Sequence, residues 1–249
     1  MNLFKVFRNK KNIVLFGLSF LTFSCTQYKL NNKRAFDYAM YQAYVDNPVD
    51  MQKMEILKST LKKGFSKSEL NEQILNLVNE QYGANLEIPK KVLNISDLNI
   101  DEMKSFSLSE GLISKKEIVM IDKLSLDIGY EGLDYALKIL EDKVISSNLD
   151  EVSFKKYNNL AIGLKVVSEE NPELFSSANK QFKLHQKGQA SAKIDILNCI
   201  VAIILWIAAL VSFIPACATW ILCGLAGFAL TAATVDVILE CVPNTPGQY

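Results

Sequence analysis

Forty consecutive residues, Ile196 to Val235, carry no charged side chain. A helix that is apolar on every side must be covered all round, so this run has to enter a membrane or close into a stapled fold of its own. Its length suits two membrane-spanning helices and a turn with nothing to spare, since each span needs about 20 residues. Small residues recur along it (Ala208, Ala209, Ala216, Ala218, Gly224, Ala226, Gly227, Ala229, Ala232, Ala233), the composition of closely packed helices. Gly224 and Gly227 form helices poorly in water and are common in lipid-embedded ones. Two tryptophans, Trp206 and Trp220, complete the pattern.

Charge is polarised along the chain. Overall, 27 basic residues face 27 acidic ones, which excludes the basic surplus of a nucleic-acid binder. With 49% hydrophobic and 22% charged residues, wholesale disorder is excluded as well. The first 24 residues hold Lys5, Arg8, Lys10 and Lys11 and no acid, so the rest carries 23 basic against 27 acidic residues. Ile13–Phe23 follows as an uncharged run of 11 residues, too short to span a bilayer but suited to the core of an export signal. The run ends at Leu21-Thr22-Phe23-Ser24-Cys25, and the chain then turns polar. This resembles a bacterial lipoprotein signal, in a relaxed form because of the bulky Phe23. The resemblance implies removal of residues 1–24, diacylation at Cys25, a lipidated tether over 25–33, and a membrane-anchored place in the bacterial envelope. Two acyl chains hold a protein stably to a surface where one does not.

Between about residues 34 and 175 the apolar spacing is helical, with no sustained strand alternation. Ser66-Lys67-Ser68-Glu69 and Ser114-Lys115-Lys116-Glu117 are capping boxes that open helices, stopped by Gly83 and Gly129 respectively. Leu133, Leu137, Leu140 and Val144 mark a further helix, and Phe154, Tyr157, Leu160, Leu164 and Val167 another, closed before Asn171-Pro172. Two earlier helices are expected at about 34–46 and 50–63, the second ended by Gly64. Five or six amphipathic helices can close one core, so residues 34–175 are expected to fold by themselves. Residues 176–193 read as a polar, basic linker, and 194–242 as the hydrophobic segment. The fold class is therefore all-α.

Chemistry is sparse. His185 is the single histidine and sits in the polar linker, so a Ser-His-Asp or Cys-His centre has no structured base. HExxH, CxxC, GxGxxG and GxxxxGK[ST] motifs are absent from the sequence. Carboxylate pairs such as Asp101/Glu102 and Glu169/Glu170 read as solvated charge or helix caps. The sequon Asn94-Ile95-Ser96 reads as accidental beside a bacterial export signal. No catalytic residue, metal ligand or cofactor is expected, and no enzyme.

The cysteines are more informative. Apart from Cys25 there are four: Cys199, Cys217, Cys223 and Cys241. An exported chain places them where pairing is the rule. Cys199 to Cys217 is 18 residues, as is Cys223 to Cys241. Eighteen residues make about five helical turns, so each pair lies on one helix face. The five residues between the two arms force an antiparallel hairpin, with bridges 217–223 near the tip and 199–241 at the open end. Trp220 lies at the centre, the expected membrane tip. Pro215 opposes this by ending the first arm early. A second helix starting there would set Cys217 and Cys223 about 9 Å apart, too far to bridge. Four unpaired cysteines acting as small apolar residues remain the alternative.

Uncharged, cysteine-containing helices closing a longer exported precursor, and the stretch CATWILCGLAGFA within them, resemble halocin-type bacteriocin domains, although this chain has fewer cysteines. The resemblance implies a membrane-active precursor or toxin whose hairpin inserts into a target bilayer. It further implies release outside the cell by cleavage and an immunity protein as partner. The alternative is a non-enzymatic envelope lipoprotein, its helical domain binding a protein partner and its hairpin acting as a second anchor.

Overall fold

A computed structural model of the chain describes residues 35–61, 66–172, 174–176, 193–214 and 220–238. The export signal, Cys25, most of the linker with His185, Pro215, Cys217 and Cys241 lie outside the described residues. The chain divides between Ala35 and Phe36, and the helical architecture belongs to the part from Phe36 onward.

Among the described residues this part is built from helices, with no strand. They are α1 (Ala39–Asp46), α2 (Met51–Leu61), α3 (Lys67–Tyr82), α4 (Ile100–Ser109), α5 (Lys115–Glu131), α6 (Leu133–Ser146), α7 (Glu151–Glu170), α8 (Lys193–Val211) and α9 (Trp220–Ile238). A single turn, Lys90–Leu93, and a 3-10 turn, Asn94–Asp97, lie between α3 and α4. The all-α expectation holds.

Local chemistry sets the helix ends. Ser66 caps α3 by accepting from Glu69 N at 3.2 Å, while Ser66 N donates to the Glu69 carboxylate at 2.8 Å. Gly83 closes that helix in the left-handed conformation. Ser114 and Glu117 form the same reciprocal cap on α5. A third box, Asn99 with Glu102, opens α4; Asp101 and Glu102 thus lie in the first turn of a helix whose apolar spacing alone does not announce it. Gly129 is not the stop expected of it. It is buried inside α5, which runs on to Gly132, whose φ of 95° suits glycine and turns the chain directly into α6.

The uncharged segment is not appended to a finished helical domain. One hydrophobic cluster takes in Ile74, Leu124, Leu140 and Leu164 of the earlier helices together with Ile203, Trp206, Ile207, Phe228 and Leu230. α8 packs on α4, α5, α7 and α9; α9 packs on α1, α3 and α7. The expected self-sufficient core in residues 34–175 is therefore corrected: α8 and α9 are the middle of the fold, and the amphipathic helices surround them. A stripe of apolar residues on a surface helix requires a partner without specifying which, and here much of that partner is the C-terminal pair.

Candidate functional site

The feature most able to carry a function is this buried pair. Every residue from Cys199 to Val211 is at most 7% exposed, so α8 is covered on all sides over more than three turns. From Cys223 to Thr234 α9 is buried likewise. The first arm, expected to be helical as far as Cys217, stops at Val211. A turn through Ser212, Phe213 and Ile214 follows, consistent with a proline just beyond it. Ile214 then meets α9: a Cβ built on Gly227 would lie 3.1 Å from Ile214 Cδ1. Further along, Trp206 Nε1 donates to Thr234 Oγ1 at 2.8 Å. Together these contacts give α8 and α9 an antiparallel sense.

Small residues do the work the sequence suggested, but inside protein. Gly163 of α7 touches both members of the pair: a Cβ there would sit 2.6 Å from Ile207 Cγ2 and 3.8 Å from Phe228 Cδ1. Gly224 faces Met40 of α1 in the same way, with Sδ 2.7 Å from the Cβ position.

Trp206, Ser212, Thr231 and Thr234 find their hydrogen-bond partners within the pair itself. Besides the Trp206–Thr234 bond, Thr234 Oγ1 donates to Leu230 O (2.7 Å), Thr231 Oγ1 to Phe228 O (2.6 Å) and Ser212 Oγ to Ala208 O (2.9 Å). Thr234→Val keeps the shape but strands the buried Trp206 N–H, which costs about 1–3 kcal/mol. Chemical denaturation should show that loss, and a change under about 0.5 kcal/mol would mean the bond contributes little.

Polar contacts hold the surrounding helices together. Lys156 of α7 pairs with Glu117 of α5 at 2.7 Å and donates to Leu112 O at 2.6 Å. Burial would raise the Glu117 carboxyl, but the hydrogen bonds from Lys156 and Ser114 and the Lys156 charge outweigh it and hold it below the usual carboxylate range. Lys156 and Glu117 line, with Tyr157, Leu160, Ala208 and Val211, a cavity of about 10 Å³, the room of about one water. It is too small to be a substrate site.

Tyrosines stud the sheath. Burial, then the charges of Glu141 and Asp134, pushes Tyr38 up to about 12. Burial and Glu169 raise Tyr41 to about 12, and burial and Glu117 do the same for Tyr157. Tyr44 and Tyr82 are raised further, by burial first and then by Glu170. A raised folded value means stability that is intact below about pH 10, the unfolded tyrosine value, and lost as pH rises past it. The thermal midpoint should hold to about pH 9 and fall steeply between about pH 10 and 12. A flat profile there would contradict the buried placement.

Of the residues expected to matter, Cys199 and Cys223 are buried at 3% and 0%. Trp220 opens α9. Cys25, Cys217 and Cys241 lie outside the described residues. No group of three or more His, Cys, Asp or Glu side chains among the described residues could hold a metal. Among them, too, no helix is long and apolar enough to cross a membrane. No protein-family model, curated protein or solved structure matches the chain.

Proposed function

We propose that the chain is an exported, non-enzymatic, membrane-active protein of the bacteriocin-like precursor or toxin kind, which carries an uncharged helical hairpin inside an amphipathic sheath and delivers it to a lipid bilayer. The observation that carries this reading is the closed hydrogen bonding of α8 and α9. A segment can exchange protein for hydrocarbon only if it brings no unpaired polar group with it. Trp206, Ser212, Thr231 and Thr234 all find their partners within the pair. Leaving the sheath would therefore strand none of these side chains in lipid.

The insertion has a length limit. The uncharged stretches 196–211 and 220–235 hold 16 residues each, about 24 Å of helix against ~30 Å of hydrocarbon. The inserted hairpin thins the bilayer locally or stops short of the far side, either of which disturbs its barrier. Cys25, if diacylated, holds the protein on the membrane surface that the hairpin enters, or anchors it until cleavage in the linker frees the C-terminal part. An immunity protein would occupy the released hairpin.

Two bridges, 199–241 and 217–223, would keep the hairpin paired during this exchange. Their support is register. Trp206 and Thr234, joined by a hydrogen bond, lie 14 residues on either side of Trp220; Cys199 and Cys241 lie 21 on either side, and Cys217 and Cys223 lie 3. All three pairs thus share one antiparallel register.

Dye-loaded vesicles test the reading. The oxidised full chain should release the dye, and peptide mapping of the same sample should find bridges 199–241 and 217–223. Reduction should weaken release, because the outer bridge closes a loop of roughly 40 residues and contributes about 4 kcal/mol in the chain-entropy account. No release at micromolar protein, from vesicles of either anionic or neutral lipid, would sink the proposal.

A further inference from the structure

The N-terminal piece of the sheath is held by two buried rings, Phe36 and Tyr44, the first packed on Phe154 at 5.7 Å, and by hydrogen bonds of which several are solvent-exposed. Phe36–Asp46, including α1, lies across α9 at Gly224, where Met40 fills the place a larger residue would need. Its hydrogen bonds go elsewhere. Phe36 N donates to Glu141 Oε1 of α6 (2.7 Å) and Asp37 N to Asn158 Oδ1 of α7 (2.6 Å). Asn158 Nδ2 donates back to Asp37 O (3.2 Å). The Tyr41 and Tyr44 hydroxyls donate to Glu169 and Glu170 of α7, each at 2.8 Å. Lys165 Nζ sits 5.4 Å and 5.7 Å from the ring centres of Tyr38 and Tyr41. The Asp37 and Tyr41 bonds are solvent-exposed, so water or a polar headgroup can replace them at small cost. Just beyond Met40's seat, Ile221 and Leu222 of α9 are already 39% and 36% exposed.

We propose that residues 36–46 form a releasable strap over the turn end of the hairpin, and that its detachment from α7 is the step that uncovers α9 at Gly224. For its consequence at a membrane this rests on the function proposed above. The strap begins 11 residues after Cys25, at most about 40 Å of extended chain, so a lipid on Cys25 would keep it beside the bilayer. Release there exposes Gly224 next to Ile221 and Leu222, giving the hairpin a contiguous apolar end to offer to lipid.

Hydrogen exchange read by mass spectrometry on the full chain tests this without any membrane. Tyr41→Phe with Tyr44→Phe and Asn158→Ala removes the hydrogen bonds to α7 and leaves the ring contacts, Met40 and α9 untouched. Exchange should quicken at least tenfold over residues 36–46 and in the α9 stretch 223–234, with α4 and α5 unchanged. Lys104→Ala, which breaks the α4–α5 pair with Asp122, should leave 223–234 as it was. If the triple variant does not fold, Tyr41→Phe alone should give a smaller change of the same pattern. Unchanged exchange at 223–234, or a uniform rise over all helices, overturns the strap. Vesicles of phosphatidylcholine and phosphatidylglycerol add a separate reading. Quicker exchange with faster leakage supports both proposals; quicker exchange without leakage keeps the strap and removes the membrane role.

Discussion

A chain ended at residue 192 should fail to fold. The truncation removes α8 and α9, and with them twelve large buried side chains: Ile200, Val201, Ile203, Ile204, Leu205, Trp206, Ile207, Leu210, Val211, Leu225, Phe228 and Leu230. At roughly 1.5–3 kcal/mol each, their burial amounts to about 18–36 kcal/mol, more than the roughly 5–15 kcal/mol by which domains are stable. The remaining helices would face each other across the space the pair had filled. The truncated chain should keep part of its far-ultraviolet helix signal, lose near-ultraviolet signal and cooperative melting, and bind hydrophobic dye. A soluble, cooperatively melting fragment would show that residues 36–176 hold a core of their own after all.

The second large effect belongs to Gly163. Alanine is normally the better helix former by about 1 kcal/mol, yet its methyl would meet Ile207 Cγ2 at 2.6 Å. Cγ2 is fixed on a branched carbon and cannot swing aside, so α7 must move off α8 and α9. Gly163→Ala should cost about 1–3 kcal/mol net and Gly163→Val more. Ile207→Ala alone should cost about 2–5 kcal/mol through its cavity. Combined with Gly163→Ala it should cost less than the sum by at least about 1 kcal/mol, because each change relieves the other. Urea denaturation of the four proteins measures this coupling, and strict additivity would mean that the close approach carries no strain.

These two predictions separate what sequence could reveal from what it could not. Helix ends are local, so the boxes at Ser66 and Ser114 could be read directly. The box at Asn99 escaped because its partner Glu102, beside Asp101, reads equally well as solvated charge or as a simple helix cap. Gly129 and Gly132 stand three apart with nothing in sequence to say which ends the helix. Packing decides it: Gly129 is buried inside α5, while Gly132 takes a positive φ. The largest revision is non-local. Ile121, Leu124 and Ile128 on α5 form the same stripe whether they cover another amphipathic helix or an uncharged one. The forty-residue run could be read as needing cover, but that its cover is the rest of the same chain is a property of the assembled core. The small residues of the run were informative for the same reason: close packing asks the same of Gly224 and Gly227 in protein as in lipid.

Charge placement bears on the proposed exchange of this core for a membrane. An amphipathic sheath keeps ion pairs such as Lys104–Asp122 and Lys123–Asp127 at its surface and meets α8 and α9 mainly through apolar side chains, with Lys156 and Glu117 reaching the cavity beside Ala208 and Val211. Opening it therefore breaks few strong contacts with the pair itself. The dominant loss on opening is apolar burial, which hydrocarbon restores and water does not.

The chain has two tryptophans, Trp206 and Trp220, and Trp206 is wholly buried against Thr234. In a Trp220→Phe variant, Trp206 alone reports on the middle of the hairpin, so vesicles whose acyl chains carry bromine test the central claim most directly. The account predicts that Trp206 emission is unquenched in water and is strongly quenched once the protein binds the vesicles, as the residue passes from protein core to hydrocarbon. Binding or leakage with Trp206 still unquenched would mean that the pair never leaves its sheath, and would contradict the account.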